Sequence, residues 1–232
     1  MAIKIYADGA DIKNIIELNK NPLIEGFTSN PTLMKKSGIT NYEKFAKEVL
    51  KYVKEKPFSF EVFSDNWNEM YREAKIISSW GDNVFVKIPI TNTQGVSSEK
   101  LIEELSQQNV KINVTAITTI PQVVVASCAL KNYTNSIISV FAGRIADTMV
   151  SPIPTMYLAK NIIKQYSNQK LLWASSREVL NLKEAEDCGC DIITMTNDLI
   201  KKLSLRNKNL DEFSLETVKL FYNDAKESGF KL

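Results

Sequence analysis

The sequence predicts an α/β fold, a single (β/α)8 TIM barrel spanning residues 1–232 as one domain and ending in a C-terminal helix. Three observations carry the prediction. Eight short, apolar, β-prone runs are centred near Ile5, Phe27, Phe60, Phe85, Ile112, Ser139, Leu172 and Ile193. Segments with helical spacing separate them, and strands alternating with helices imply a parallel sheet. The 232 residues are close to the about 250 that such a barrel uses. An open doubly wound sheet is the competing closure.

The helical segments carry their own punctuation. Thr40 and Glu43 have the spacing of a capping box, followed by Tyr42, Phe45, Ala46, Val49 and Val53 on one face. Trp67, Met70, Tyr71, Ala74 and Ile77 form a second stripe, with Gly81 as its stop. Pro121 suits a first helical turn. Met156, Ala159, Ile162, Ile163 and Tyr166 form another stripe, and Asn181 with Glu184 reads as a further cap. Leu199, Ile200 and Leu203 follow the last strand; Leu205–Asp211 reads as an exposed loop, and the terminal helix starts at Ser214. Apolar stripes of this kind are core faces.

Composition narrows the chemistry. A net charge of +2 gives no electrostatic reason to expect nucleic acid or a membrane surface as partner. No apolar run approaches the about 20 residues of a membrane span, and the N-terminus is interrupted by Asp8 too early for a signal peptide. Cys128, Cys188 and Cys190 make no disulfide framework, which points to a cytoplasmic protein. Cys188-Gly-Cys190 has no completing ligands and reads as a helix end with buried thiols, so no metal is expected. The chain has no histidine, so acid–base work falls to carboxylates, lysine, tyrosine, cysteine or water. Neither a Gly-x-Gly-x-x-Gly nor a P-loop is present, and no cofactor is expected.

Residues 84–90, Val-Phe-Val-Lys-Ile-Pro-Ile, place Lys87 in the middle of an apolar strand. Desolvation favours the neutral amine of a buried lysine, which is the form that attacks a carbonyl. The alternatives are a lysine snorkelling to the surface or one paired with a carboxylate for structure. Barrel active sites gather at the C-terminal ends of the strands. Those ends carry Asp8, Thr28-Ser29-Asn30-Pro31, Glu61, Lys87, Asn113 with Thr115, Ser139 leading to Arg144, and Ala174-Ser175-Ser176-Arg177. Singly, each has a structural reading: a cap for Asp8 or Ser175, a turn for Asn30, a counter-ion for Glu61, surface ion pairs for the arginines. Together they set an amine and two carboxylates beside hydroxyls, amides and two guanidiniums. An amine with carboxylates suits Schiff-base chemistry, and paired arginines with a serine suit a phosphate.

At these residues the chain resembles the transaldolase family, including the short transaldolase-like proteins and the fructose 6-phosphate aldolases. The matching pieces are Tyr6-Ala-Asp8 with Asp11, Gly26-Phe-Thr-Ser-Asn-Pro-Thr-Leu33, Phe60-Glu-Val62, Val84-Phe-Val-Lys-Ile-Pro-Ile-Thr91, Ile112-Asn-Val-Thr115, Val140-Phe-Ala-Gly-Arg-Ile145, Ala174-Ser-Ser-Arg177 and Gly189-Cys-Asp-Ile-Ile-Thr194. The resemblance implies a phosphorylated ketose substrate and a Schiff base on Lys87, with Asp8 as the base for carbon–carbon cleavage. It implies that Glu61 and Thr115 hold a proton-shuttling water, and that Asn30 and Asn113 bind a dihydroxyacetone unit, with Thr28 and Ser139 nearby. Arg144, Ser175 and Arg177 would anchor the phosphate. Glu61 and Phe141 stand where the aldolase subgroup has Gln and Tyr, which aligns the chain with the transaldolases of the pentose phosphate pathway. An aldolase and a non-catalytic sugar-phosphate-binding barrel are the alternatives. After Ile145 the chain reads Ala146-Asp147-Thr148-Met149-Val150-Ser151-Pro152, with none of the glycines usual there. Barrels of this kind self-associate, and a homo-oligomer is expected.

Overall fold

A computed structural model describes residues 3–231. The chain divides into two compact units, Met1–Ile200 and Lys201–Leu232. In the first unit the elements alternate as β1 (Lys4–Asp8), α1 (Ile12–Asn19), β2 (Ile24–Thr28), α2 (Pro31–Lys36), α3 (Tyr42–Leu50), β3 (Phe58–Glu61), α4 (Trp67–Ser78), β4 (Val84–Pro89), α5 (Glu99–Gln107), β5 (Ile112–Ile117), α6 (Ile120–Leu130), β6 (Ser136–Val140), α7 (Ala142–Ala146), α8 (Ile153–Ile163), β7 (Gln169–Trp173), α9 (Leu180–Asp187) and β8 (Ile192–Thr196). The eight strands pair in sequence order, all parallel, and β8 closes on β1. The predicted barrel is therefore observed and the open sheet is excluded. α10 (Asn197–Lys202) follows the last strand; the second unit holds a short 3-10 turn (Leu203–Leu205) and α11 (Leu210–Glu227).

Local sequence sets the helix starts, with three shifts from expectation. Asn41, rather than Thr40, caps α3: its side chain accepts from the Lys44 N–H at 2.8 Å. Two capping-competent residues are adjacent there, and Asn is the better cap. Asn181 lies inside α9 rather than at its cap. α11 starts at Leu210, capped by Asn209, ahead of the predicted Ser214. Pro121 does occupy the first turn of α6, where Gln122 reaches back to the Thr118 and Thr119 N–H groups.

Strand alternation divides the core into two layers. One set of side chains packs under the helices; Phe27, Phe58 and Phe60 stack there, at ring separations of 5.6 and 4.3 Å. Each large side chain so buried contributes about 1.5–3 kcal/mol. The other set fills the barrel. Tyr6, Ile137, Leu172, Ala174 and Ile192 form a buried apolar cluster, with Phe85 and Phe141 packed against it. Gly26 permits this: a Cβ there would lie 2.5 Å from the Tyr6 ring. The barrel thus has an apolar floor, and its polar interior residues gather toward the C-terminal ends of the strands.

Candidate active site

Register brings the central residues side by side. Glu61 on β3 faces Lys87 on β4, and Lys87 faces Asn113 on β5. A parallel ladder puts such neighbours on the same face, so the carboxylate, amine and amide form one row across three strands. Lys87 is 6% exposed. Its Nζ lies 3.1 Å from Glu61 Oε2 and donates to the Ser29 carbonyl at 3.1 Å. That carbonyl belongs to the Thr28-Ser-Asn-Pro segment, so the turn after β2 helps to fix the amine.

Each neighbour is held in turn. The Tyr42 hydroxyl, brought by α3, accepts from the Glu61 N–H and donates to the Glu61 carbonyl, both at 2.7 Å. Burial pushes this phenol well above its ordinary range. Asn113 is locked from both sides: it donates to Ser59 Oγ at 3.1 Å and accepts from Ser139 Oγ at 2.6 Å. Thr115 Oγ1 is buried without a hydrogen-bond partner among the described residues, one residue before a bulge where Ala116 takes a left-handed φ of 61°. Bulges of this kind re-aim side chains beside sites. Asp8 accepts from the Thr28 hydroxyl at 2.7 Å. Burial pushes the Asp8 carboxyl above the usual carboxylate range; the Lys87 charge and the Thr28 hydrogen bond oppose the rise, and the Glu61 charge adds to it. Asn30 caps α2 through Oδ1, accepting from the Leu33 N–H at 3.0 Å.

Tyr42→Phe should lower turnover by about tenfold and stability by about 1–2 kcal/mol, because two partly buried backbone groups of Glu61 lose the hydroxyl that bridges them. Steady-state kinetics and urea unfolding check this; unchanged turnover would mean that Glu61 is placed without Tyr42.

The opposite rim is built by α7 and the turn after β7. Gly143 donates to the Ala174 carbonyl at 3.2 Å, and a Cβ at Gly143 would lie 1.7 Å from the Ser175 carbonyl oxygen. Only glycine permits that approach, and it sets α7, which carries Arg144, against the Ser175–Arg177 turn. Ser175 itself has a φ of 62° and is not a helix cap. The Arg177 N–H donates to Asn181 Oδ1 at 2.8 Å, which is what Asn181 does inside α9. Gly143→Ala should destabilise the protein by about 2–4 kcal/mol and weaken anion binding at the Arg144 and Arg177 rim, since backbone must move on at least one side. Thermal unfolding and titration with inorganic phosphate measure both; wild-type values would refute the close approach.

Asp8, Thr28, Asn30, Glu61, Lys87, Asn113, Thr115, Ser139, Phe141, Arg144, Ser175 and Arg177 all line one cavity of 460 Å³ at the C-terminal end of the barrel. A larger cavity, 730 Å³, lies at the opposite end. Its Asp191 is already engaged by Lys160 at 2.7 Å and by the Leu171 N–H at 2.9 Å. The chemically complete set is at the C-terminal mouth. Among the described residues no group of three or more His, Cys, Asp or Glu is placed to hold a metal ion. No described helix is long and apolar enough to cross a membrane.

Comparison with known proteins identifies the family. A family model described as Transaldolase/Fructose-6-phosphate aldolase matches residues 5–232. The chain belongs to this transaldolase/fructose-6-phosphate aldolase family. A probable transaldolase of Brucella anthropi is 33% identical over 221 residues, covering 94% of this chain and 97% of that protein. Probable transaldolase 2 of Listeria monocytogenes is 33% identical over 218 residues, covering 91% and 94%. The barrel also resembles orotidine 5'-monophosphate decarboxylase from Metallosphaera sedula, with a TM-score of 0.53 at 13% identity, covering 94% of this chain and 97% of that one, a likeness of fold alone.

Within this transaldolase/aldolase barrel, the sequence-predicted set leaves out residues that line the cavity or brace its walls. Lys36 at the end of α2 lines the cavity. Ser59 sits inside the Phe-Ser-Phe run, and its place two residues before Glu61, on the same face, is the signal that could have found it. Tyr42 looked like one more residue of an amphipathic helix. Gly143 and Asp147 act through contacts that local spacing does not reveal.

Proposed function

We propose that this chain is a transaldolase that transfers a dihydroxyacetone unit from a ketose phosphate, such as fructose 6-phosphate or sedoheptulose 7-phosphate, to an aldose phosphate. The observation that carries the reading is the row of Glu61, Lys87 and Asn113, with the amine 3.1 Å from a carboxylate above an apolar floor. The Lys87 amine attacks the ketone and loses water to form an iminium, with Glu61 and Thr115 handling the protons. Asp8 takes the proton of the hydroxyl next to the bond that breaks, and the electron pair flows into the iminium. The aldehyde half leaves, and the three-carbon enamine stays under Asn113 and Asn30. An acceptor aldehyde then reverses the steps, and hydrolysis frees Lys87. The iminium is the electron sink, so the reading requires no cofactor. Arg144, Ser175 and Arg177 provide the phosphate end.

Glu61 and Phe141 favour transfer over release of free dihydroxyacetone. Incubation with fructose 6-phosphate, with and without an acceptor aldose phosphate, tests this: sugar exchange only with acceptor supports a transferase, and free dihydroxyacetone without acceptor supports the aldolase reading. The same proposal places the protein in the cytoplasm, in keeping with its free thiols. It makes the protein a homo-oligomer, for which the exposed Ile153, Tyr157 and Leu158 of α8 offer an apolar face. A monomer in light scattering would refute that part.

A further inference from the structure

We infer that Asp147 is a specificity-determining residue, which competes with the substrate phosphate for Arg177 and so sets how strongly the site prefers phosphorylated over uncharged sugars. The inference rests on the transaldolase reading of the site.

Arg177 is not simply open to an anion. Its Nε donates to Asp147 Oδ1 at 3.1 Å, and its Nη2 donates to Asp147 Oδ2. This is the two-point fork that a guanidinium would otherwise offer to a phosphate. The pairing is framed by backbone. Asp147 is the C-cap of α7, whose Gly143 packs against the Ser175 carbonyl, and the Arg177 N–H is fixed by Asn181. The carboxylate therefore meets the guanidinium through two anchored segments rather than through two freely moving side chains.

Exposure shows that the pair can exchange. The side chains are 48% and 49% exposed, and ion pairs at such positions are weak. A phosphate, carrying more negative charge than a carboxylate, can take the fork and release Asp147 to water. Arg144, on the same short helix, is exposed and makes no ion pair among the described residues. The site thus offers one guanidinium outright and the second only by displacement. An uncharged sugar leaves the Asp147–Arg177 pair intact and is indifferent to it.

Asp147→Asn keeps the shape and removes the charge. The expected result is a KM for fructose 6-phosphate lower by about two- to fivefold, the range of an exposed ion pair, with KM for fructose and both kcat values unchanged. Inorganic phosphate, measured by titration calorimetry, should bind tighter by a similar factor. Both gains should vanish when the same change is made in an Arg177→Gln protein. A higher KM for fructose 6-phosphate, an equal shift for both sugars, or no gain in phosphate affinity would overturn the inference. If the wild-type protein turns over neither sugar, the transaldolase reading fails, and phosphate titration of the two proteins alone decides the role of Asp147.

Discussion

Lys87→Arg is expected to abolish sugar cleavage and transfer, with kcat/KM falling by at least about a thousandfold. A guanidinium keeps the positive charge beside Glu61 but supplies no amine for a Schiff base. Arginine is the cleaner test for a second reason. The Lys87–Glu61 pair is buried, with side chains 7% and 17% exposed. Removing one partner of such a pair costs about 3–5 kcal/mol, because the other charge stays behind unpaired. Lys87→Ala would therefore mix lost chemistry with lost stability. Thermal unfolding close to wild type together with absent turnover is the expected pair of results; turnover within tenfold of wild type would contradict the account. A buried ion pair is also weak evidence of stability, since apolar replacements of both partners are often neutral or better. Retaining this pair makes sense if the amine is needed.

Asp8→Asn is expected to lower turnover by about 10²–10⁴-fold, the usual contribution of a positioned general base. The amide still accepts from the Thr28 hydroxyl, so geometry is retained while the proton acceptor is lost. The pH dependence has a definite sign. Burial raises the Asp8 carboxyl, so in the folded protein it takes up its proton at a higher pH than in the unfolded chain. Activity that needs the ionised form then falls as pH drops through this raised value, above the ordinary carboxylate range of about 4. Stability moves the other way. Between the unfolded and folded values the native state holds the extra proton, so that part of the stability is present at low pH and is lost as pH rises through the folded value. Asp8→Asn should remove that slope. An activity profile with its acid limb at the ordinary carboxylate value, or an Asn variant with near-normal turnover, would exclude Asp8 as the base.

Much of the barrel is legible because each of its strands announces itself. All eight predicted centres, from Ile5 to Ile193, fall inside observed strands. A parallel strand covered on both sides is apolar nearly throughout, so its few polar residues stand out, and alternation says which of them share a face. That logic singled out Lys87, Asn113 and Thr115, which line one cavity together with the other chosen residues. What it could not find depends on partners far away in sequence. The Tyr42 hydroxyl bridges the backbone of Glu61, 19 positions away. The bond that Arg177 donates to Asp147 joins a turn and a helix end 30 positions apart. Gly143 looked like one glycine in a motif, whereas its importance lies in the Ser175 carbonyl, contributed by the turn after β7. Helix starts slipped for a local reason: where Thr40 and Asn41 compete, spacing alone does not choose between neighbouring caps.

The central claim is that Lys87 carries the sugar as an imine. Borohydride added to the protein with fructose 6-phosphate reduces an imine to a stable secondary amine, and peptide mapping by mass spectrometry locates it. The account predicts a three-carbon adduct on the peptide containing Lys87, absent in Lys87→Arg. An unmodified Lys87 peptide under conditions where the sugar is consumed, or an adduct on a different lysine, would contradict it.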